Sequence, residues 1–400
     1  MARDVAITGM GVVSCAGNGV AVFWDTVAAG RCELGALTRL NVSEFSYPVG
    51  GEVRGFDAPK SGESGLDLAA QFLLAACREA LGGGQANLES RHDCAIIAAT
   101  NFGSASVLER FLADAAAGRR PPKGALTASL LKSDAESVAL KLGLGGPKVA
   151  MSLSCASGNA AIIHAAQLVR DGVVPVALAA GYDAISRYVW SGLGVLRVMS
   201  QKGVVRPFDR DRSGTLFSEG AGALVLESRE HAAARGARVM ALFLGGGMNN
   251  NAYHMAHSQE DGQGIRDSML MALEDAGLSA EQIDHVNAHG TATKLNDPTE
   301  TRAIKAALGQ RALEIPVNSI KGTVGHGMGA AGSFEAIASI MALREGIIPP
   351  TINFETPDPE CDLDCVPNMA RRAAAKTVIS NSAGIGGCNC AVIFASEDFR

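Results

Sequence analysis

Residues 148–169 read KVAMSLSCASGNAAIIHAAQLV, and the reading of the whole chain turns on them. A short apolar run up to Leu153 has the composition of a strand, the small residues from Ser154 to Gly158 make a turn, and apolar residues at three- and four-residue spacing then mark an amphipathic helix. Strand, tight turn and helix form the repeating unit of layered α/β proteins. Cys155 falls at the junction, where the positive end of the helix dipole favours a thiolate and hence a nucleophile. Its alternative role is that of a small buried hydrophobe, common for free cysteine. Ser154, Ala156, Ser157 and Gly158 leave space around the sulfur that packing does not require.

The same alternation continues outward in both directions. Short runs that are nearly all apolar, among them DVAITGMGVV at the start, CAIIAAT (94–100), VVPVALAAG (173–181), GALVLE, HVNAH, IPVNSI and CAVIFAS, suit strands covered on both faces. Between them lie helix-length stretches such as LAAQFLLAACREALGG (68–83) and IRDSMLMALEDAGL (265–278), whose terminal glycines suit helix C-caps. The class is α/β. The softest boundary is near residue 240, where the helical EHAAARGARV leads into ALFLGGGMNNN, dividing the chain into 1–240 and 241–400. No internal self-similarity shows whether the two parts share a fold.

Four hundred residues with 47% hydrophobic and 19% charged side chains can bury a large core, which argues against disorder. Lys plus Arg total 35 against 41 for Asp plus Glu, a net charge of −6 with no basic block, and this argues against a nucleic-acid partner. No window reaches the ~18 apolar residues of a membrane span. The amino terminus lacks the pattern of a signal peptide. Nine cysteines, an odd number without an export signal, point to reduced thiols in a cytoplasm. Neither Cys361 with Cys365 nor Cys388 with Cys390 has zinc-ligand spacing, so no metal is expected.

Two histidines stand in glycine-containing turns. His289 closes a strand in HVNAHGTATKLNDPTE (285–300), beside Thr291 and Thr293, and an imidazole there can donate a hydrogen bond to a carbonyl oxygen in a cleft. It can equally be a hydrogen-bonded structural residue, and Asp297 and Glu300 can simply cap the following helix. His326 lies in NSIKGTVGHGMGAAGSFEAIASIMAL (318–343), with Lys321 before it and Glu335 after. That cation and anion either fix the imidazole or form an ordinary ion pair of little worth. GHGMG lacks the Gly-Lys-Ser/Thr ending of a phosphate loop. NSAGIGGCNCAVIF (381–394) places small residues before a last strand, so its backbone amides either approach a ligand or form a tight turn.

Cys155 at its turn, His289 in NAHGTAT and His326 in IKGTVGHGMGAAG together resemble the β-ketoacyl-acyl carrier protein synthases, in particular the elongating ketosynthases that use Cys-His-His. ITGMGVVS, RPFDRDRSGTLFSEGAGALVLE (206–227), AYHM (252–255) and PPTINFETPDPECDLD (349–364) extend the resemblance nearly end to end. It implies the thiolase-like fold, two similar α/β halves in five layers, assembled as a homodimer or as a heterodimer with a related subunit. Cys155 would take an acyl chain from a carrier-protein phosphopantetheine thioester, so that no separate cofactor is needed. His289 and His326 would stabilise the enolate formed as malonyl loses carbon dioxide. Lys321 and Glu335 would orient His326, the backbone amides of Cys155 and Ile385 would form an oxyanion hole, and Thr291 and Thr293 would hold the pantetheine arm.

Several positions depart from the family pattern. Fatty-acid members usually read Phe-Gly-Phe where this chain has Ala383, Gly384 and Ile385, which reshapes the entrance to the acyl pocket. Phe102 stands where a smaller aliphatic residue commonly lines the far end of the acyl tunnel, and Asn251 replaces an Asp. SGESGLDLAA (61–70) has no Lys or Arg, so carrier-protein docking would fall on Arg197 and Lys202, with Arg119, Arg120 and Lys123 as further candidates. These departures favour a specialised synthase of a type II polyketide or aryl-polyene pathway over a fatty-acid enzyme. The competing readings are a thiolase-type CoA enzyme using Cys388 or Cys390 as a second thiol, a chain-length-determining partner subunit, and a cysteine hydrolase.

Overall fold

Val5–Ser14 (β1), the apolar run at the start of the chain, is buried along its whole length at the centre of an eleven-stranded sheet. The computed structural model describes residues 5–57, 66–82, 91–121, 124–128, 130–255 and 259–399. Strands Cys94–Ala99 (β2), Lys148–Met151 (β3), Val176–Asp183 (β4) and Gly220–Ser228 (β5) complete one side of the sheet. Ala241–Asn250 (β6), Val286–Asn287 (β7), Val317–Asn318 (β8), Thr377–Gly384 (β9) and Cys388–Ala395 (β10) complete the other. The spatial order is β8-β7-β9-β10-β6-β1-β5-β4-β2-β3, with Gly17–Asn18 forming a short hairpin on β1.

That order is a repeat. Numbered within its own set, each group of five strands runs 3-2-4-5-1, and the two sets meet at their first strands, β1 and β6. Directions repeat too: β2 is parallel to β3 and β4, as β7 is to β8 and β9, whereas β5 and β10 pair antiparallel on both sides. Parallel central strands need crossover helices, which is why helical and strand-like stretches alternate in the sequence. Leu68–Gly82 (α1) covers the outer face of the first set, and Gln263–Ala276 (α4), ended by left-handed Gly277, covers that of the second. Between the sets lie Ser157–Arg170 (α3) and Ala331–Glu345 (α7), giving the five layers of the thiolase-like fold. Ala105–Ala116 (α2) sits at the periphery. Before β6, the helix Arg229–Ala234 takes in only the first five residues of the EHAAARGARV stretch, and Gly236 takes a left-handed φ.

Helix α7 is buried from Ala331 to Leu343, so it shows no polar face. It crosses α3 at backbone contact. A β-carbon on Gly158 would stand 2.5 Å from Ser333 N, and one on Gly332 would stand 2.7 Å from Asn159 N. Glycine at both positions lets the two helix N-termini meet at the middle of the molecule, beside the turns that carry the candidate residues. None of the described helices is long and apolar enough to cross a membrane.

Candidate active site

Cys155 sits on the turn from β3 into α3, as its sequence context predicts. Ser154 before it holds a left-handed φ of 52°, an uncommon conformation for a residue with a β-carbon. The surroundings enforce it: Ser157 Oγ donates to Ser154 O (2.6 Å) and accepts from Leu153 N (2.8 Å). Burial pushes the Cys155 thiol up from its ordinary value, against the Ser154 hydroxyl, the charge of Lys321 and the Ile385 backbone N–H, which act in the opposite direction. Burial thus outweighs these three, in a setting that favours the neutral thiol. A β-carbon on Gly384, at the end of β9, would fall 2.9 Å from Ser154 Cβ and 3.1 Å from Cys155 N. Glycine at that position lets the following amide, Ile385 N–H, reach the sulfur.

His289 follows β7 in a turn pinned from Asn296–Leu308 (α5). Glu300 accepts from the backbone N–H of His289 (2.7 Å) and Gly290 (2.8 Å). Asp297 accepts from Ala292 N (3.1 Å) and Phe208 N (2.7 Å). These carboxylates, read in the sequence as possible helix caps, hold the turn that presents the imidazole. Burial raises both, Asp297 to about 6.

Lys321 begins the short helix Lys321–Val324 (α6) and is 1% exposed. It pairs with Glu335 of α7, donates to the His289 carbonyl, and places Nζ 3.2 Å from His289 Nδ1. This corrects an expectation: the Lys321–Glu335 pair holds His289, not His326. Gly325, with φ at 72°, ends α6 before His326, so nearness in sequence does not become contact. His326 is held differently. Its backbone pairs with Leu216 O (2.8 Å) and Ser218 N (2.9 Å), its ring lies beside Phe217, and its Nδ1 accepts from Met328 N (3.1 Å).

In each ring Nδ1 faces a donor, an ammonium in one and an amide in the other, which leaves the ring proton on Nε2. Burial first, and then the charge of Lys321, hold both imidazoles well below the ordinary histidine value. They are two neutral Nε2–H donors with ring centroids 5.2 Å apart and planes at 88°. Both line, together with Cys155, a cleft of about 420 Å³. Thr291 and Thr293 (Oγ1 to Oγ1, 3.0 Å), Ala383, Gly384 and Ile385 line it as well. Such a set places a nucleophile, two donors for a developing oxyanion and a run of backbone amides around one small volume.

Residues 2–232 match the family description "Beta-ketoacyl synthase, N-terminal domain" and residues 240–355 match "Beta-ketoacyl synthase, C-terminal domain". The chain belongs to the β-ketoacyl synthase family. It is 36% identical over 408 residues to "3-oxoacyl-[acyl-carrier-protein] synthase 2" of Synechocystis sp., covering 98% of each chain. It is 35% identical over 414 residues to the "Tetracenomycin polyketide synthase ketoacyl synthase alpha subunit" of Streptomyces glaucescens, covering 98% of this chain and 97% of that one. Among solved structures, "The ishigamide ketosynthase/chain length factor" superposes with a TM-score of 0.93 at 33% identity, over 99% of this chain and 100% of that one.

The remaining candidates in this synthase are scattered. Arg197 is exposed and lines the cleft, whereas Lys202 is exposed and does not. Arg119 and Arg120 are exposed at the end of α2, Arg119 paired with Asp114, and Lys123 lies outside the described residues. Phe102 does not line the cleft; its ring packs in a cluster with Trp190, Leu193 and Phe217, and of these Phe217 lines the cleft. Neither Cys388 nor Cys390 lines it, although their neighbours Gly387 and Asn389 do, which leaves the thiolase reading without a second thiol among the described lining residues. Sequence reasoning missed Asp183, which is wholly buried and accepts from Thr100 Oγ1 and the amides of Asn101, Phe102 and Gly329. A charged residue closing the otherwise apolar strand β4 was the available signal.

Proposed function

We propose that Cys155 is the acyl acceptor of a decarboxylative condensing reaction and that His289 and His326 stabilise its enolate. The protein is an acyltransferase of the ketosynthase type, acting in fatty-acid or polyketide synthesis. The thiolate of Cys155 attacks a carrier-bound thioester, and the pantetheine sulfur leaves and takes up a proton. A malonyl thioester then enters, its carbon–carboxylate bond breaks to release carbon dioxide, and the electron pair delocalises onto the thioester oxygen. That oxygen accepts from both Nε2–H groups. The enolate carbon attacks the acyl-Cys155 carbonyl, whose oxyanion accepts from the backbone N–H of Cys155 and Ile385. Collapse expels the thiolate and leaves a β-ketoacyl chain on the carrier.

The observation that carries this reading is the pair of neutral imidazoles with Nδ1 already engaged. An acid and a base would suit a proton shuttle; two fixed donors suit negative charge gathering on one oxygen. No bound cofactor enters the scheme, because substrates bring their own phosphopantetheine. Thr291 and Thr293 would hold that arm and Arg197 and Lys202 would meet the acidic carrier protein. All nine cysteines are free, which accords with a reducing, cytoplasmic setting. A ketosynthase-like partner, identical or related, is supported by the likeness to a ketosynthase/chain length factor and by β3, the last strand of the sheet, whose outer edge has no partner among the described strands. The small side chains of Ala383 and Ile385 favour a specialised polyketide or aryl-polyene substrate.

Intact-protein mass spectrometry after incubation with acyl-carrier thioesters tests the assignment. One acyl adduct, mapped to Cys155, is expected. An adduct on another residue, or none with any acyl chain, would overturn it.

A further inference from the structure

Asp183 closes β4 between the supports of the sulfur and of the second imidazole, and its carboxylate gathers donors from both sides. Oδ1 accepts from Thr100 Oγ1 (2.6 Å) and Phe102 N (2.9 Å), and Oδ2 accepts from Asn101 N (3.0 Å) and Gly329 N (2.7 Å). The first three donors lie on the loop after β2, and the fourth lies on the turn after His326. Burial lifts the carboxyl to about 6 against these hydrogen bonds, so at about pH 8 it is ionised and only accepts. The turn after His326 needs an anchor. Met328 holds a left-handed φ of 55°, uncommon for a residue with a side chain, and the amides on its two sides are both engaged: Met328 N donates to His326 Nδ1 (3.1 Å) and Gly329 N donates to Asp183. The turn is also pressed onto the loop after β2, since a β-carbon on Gly329 would stand 2.7 Å from Asp183 Oδ2 and 2.8 Å from Thr100 Cα. The nucleophile turn, by contrast, is held by its own bonds through Ser157, and its tie to this loop is longer, 3.3 Å from Ser157 Oγ to Asn101 Oδ1.

We infer that Asp183 is a positioning residue for His326: by holding the Gly329 amide it fixes the Met328 turn, and with it the N–H that keeps His326 in its Nε2–H form. A neutral imidazole carries its proton on either nitrogen, and the hydrogen bond made at one decides the state of the other. Met328 N–H faces Nδ1 only while Met328 keeps its left-handed conformation, and such strain persists only where the surroundings over-determine it. Without the carboxylate the turn relaxes, Nδ1 loses its donor, and the proton can move there, leaving a lone pair on Nε2 where the enolate needs a donor. His289 has a separate brace in Lys321 and does not depend on Asp183. The inference rests on the reading of His326 as an enolate donor and adds the group that makes it one.

The test compares Asp183→Ala and Asp183→Asn with the unaltered full-length protein, each labelled with nitrogen-15 in its histidines and held at about pH 8. Ring-nitrogen spectra tell the two tautomers apart, the His326 signals being those lost in His326→Ala. Carbon dioxide release from a malonyl-carrier thioester and acylation of Cys155 are measured on the same samples. The unaltered protein is expected to show His326 in the Nε2–H form alone. Asp183→Ala should show both forms, with carbon dioxide release about tenfold slower, part of the cost of one oxyanion donor, and acylation changed by less than about twofold. Asp183→Asn should recover the single form and most of the rate, because its Oδ1 can still accept from Asn101 and Gly329 while its Nδ2 donates to the Thr100 hydroxyl. Gly329→Ala crowds the one bond to the turn, leaves the carboxylate its other donors, and keeps the proposal testable if Asp183→Ala does not fold; it should show the same mixture of tautomers. His326 remaining wholly Nε2–H in both Asp183→Ala and Gly329→Ala overturns the proposal. So do equal losses of acylation and carbon dioxide release in Asp183→Ala, the mark of a merely structural role, and a failure of Asp183→Asn to recover either readout. Absence of carbon dioxide release from the unaltered protein, with His326 in the Nε2–H form, overturns instead the underlying reading of His326.

Discussion

The turn at Cys155 and the turns at His289 and His326 reach the same cleft with different kinds of support. Around the sulfur there is little charge: a strained Ser154, a hydroxyl, a backbone amide and close-packed Gly384, in a setting that favours the neutral thiol. Around the imidazoles lies a buried polar network. Glu300 and Asp297 pin one backbone turn, Lys321 and Glu335 brace one ring, and a main-chain amide braces the other. The first set, supplied by β3 and α3, positions a nucleophile whose reaction partner is an already activated thioester. The second set, supplied by the β7–α5 and α6–α7 segments, prepares for charge that appears only in the transition state. Electrostatic preorganisation is concentrated where charge develops, not where the covalent bond forms.

The largest effect expected from breaking this division is at the sulfur. Cys155→Ala removes the only proposed acyl acceptor and should abolish adduct formation, measured by intact mass, with a circular dichroism spectrum unchanged because a methyl group fits where the thiol sat. His326→Ala should lower carbon dioxide release from a malonyl-carrier thioester by about 10²–10³, the usual cost of one oxyanion donor, while acylation changes much less. Equal losses in both half-reactions would erase the distinction between the two regions.

Lys321→Met strikes the network from behind. It leaves Glu335 buried without its cation and should cost about 3–5 kcal/mol in denaturant unfolding. Adding Glu335→Gln, which removes the stranded charge, should restore part of that stability but not the decarboxylation rate. Gly384→Ala crowds Ser154 and the Cys155 amide and should slow acylation by about tenfold with little effect on decarboxylation, measured by single-turnover kinetics.

The smallest effect sharpens the contrast through pH. Both imidazoles are held below their ordinary value, so they remain neutral as pH falls through about 6.5, and decarboxylation should keep its rate there. The Cys155 thiol is held above its ordinary value of 9.0, so the acylation rate should still be climbing at that pH. An acid limb for decarboxylation near 6.5, in pH-rate profiles of the separated steps, would mean that a histidine protonates in the working range.

Much of the first region is legible in the sequence, because its parts are local. The strand, turn and helix around Cys155 follow one another within 22 residues of the chain, and small side chains announce the open turn. The α/β alternation is equally local. The repeated 3-2-4-5-1 order is not, since strands such as Val286–Asn287 and Val317–Asn318 are only two residues long and leave no pattern to compare with Cys94–Ala99 or Lys148–Met151. The support of the second region was read less well for the same reason. Lys321 lies five positions from His326 and thirty-two from His289, yet it touches the distant one. Glu300 and Asp297 look like helix caps until the turn they hold is seen folded back onto them.

The most direct test of the division between the two regions is carbon dioxide release from a malonyl-carrier thioester by the Cys155→Ala variant. The account predicts continued release with no acyl adduct on the protein, since the two Nε2–H donors do not depend on the sulfur. Loss of carbon dioxide release along with the adduct, in a variant that remains folded, would contradict it.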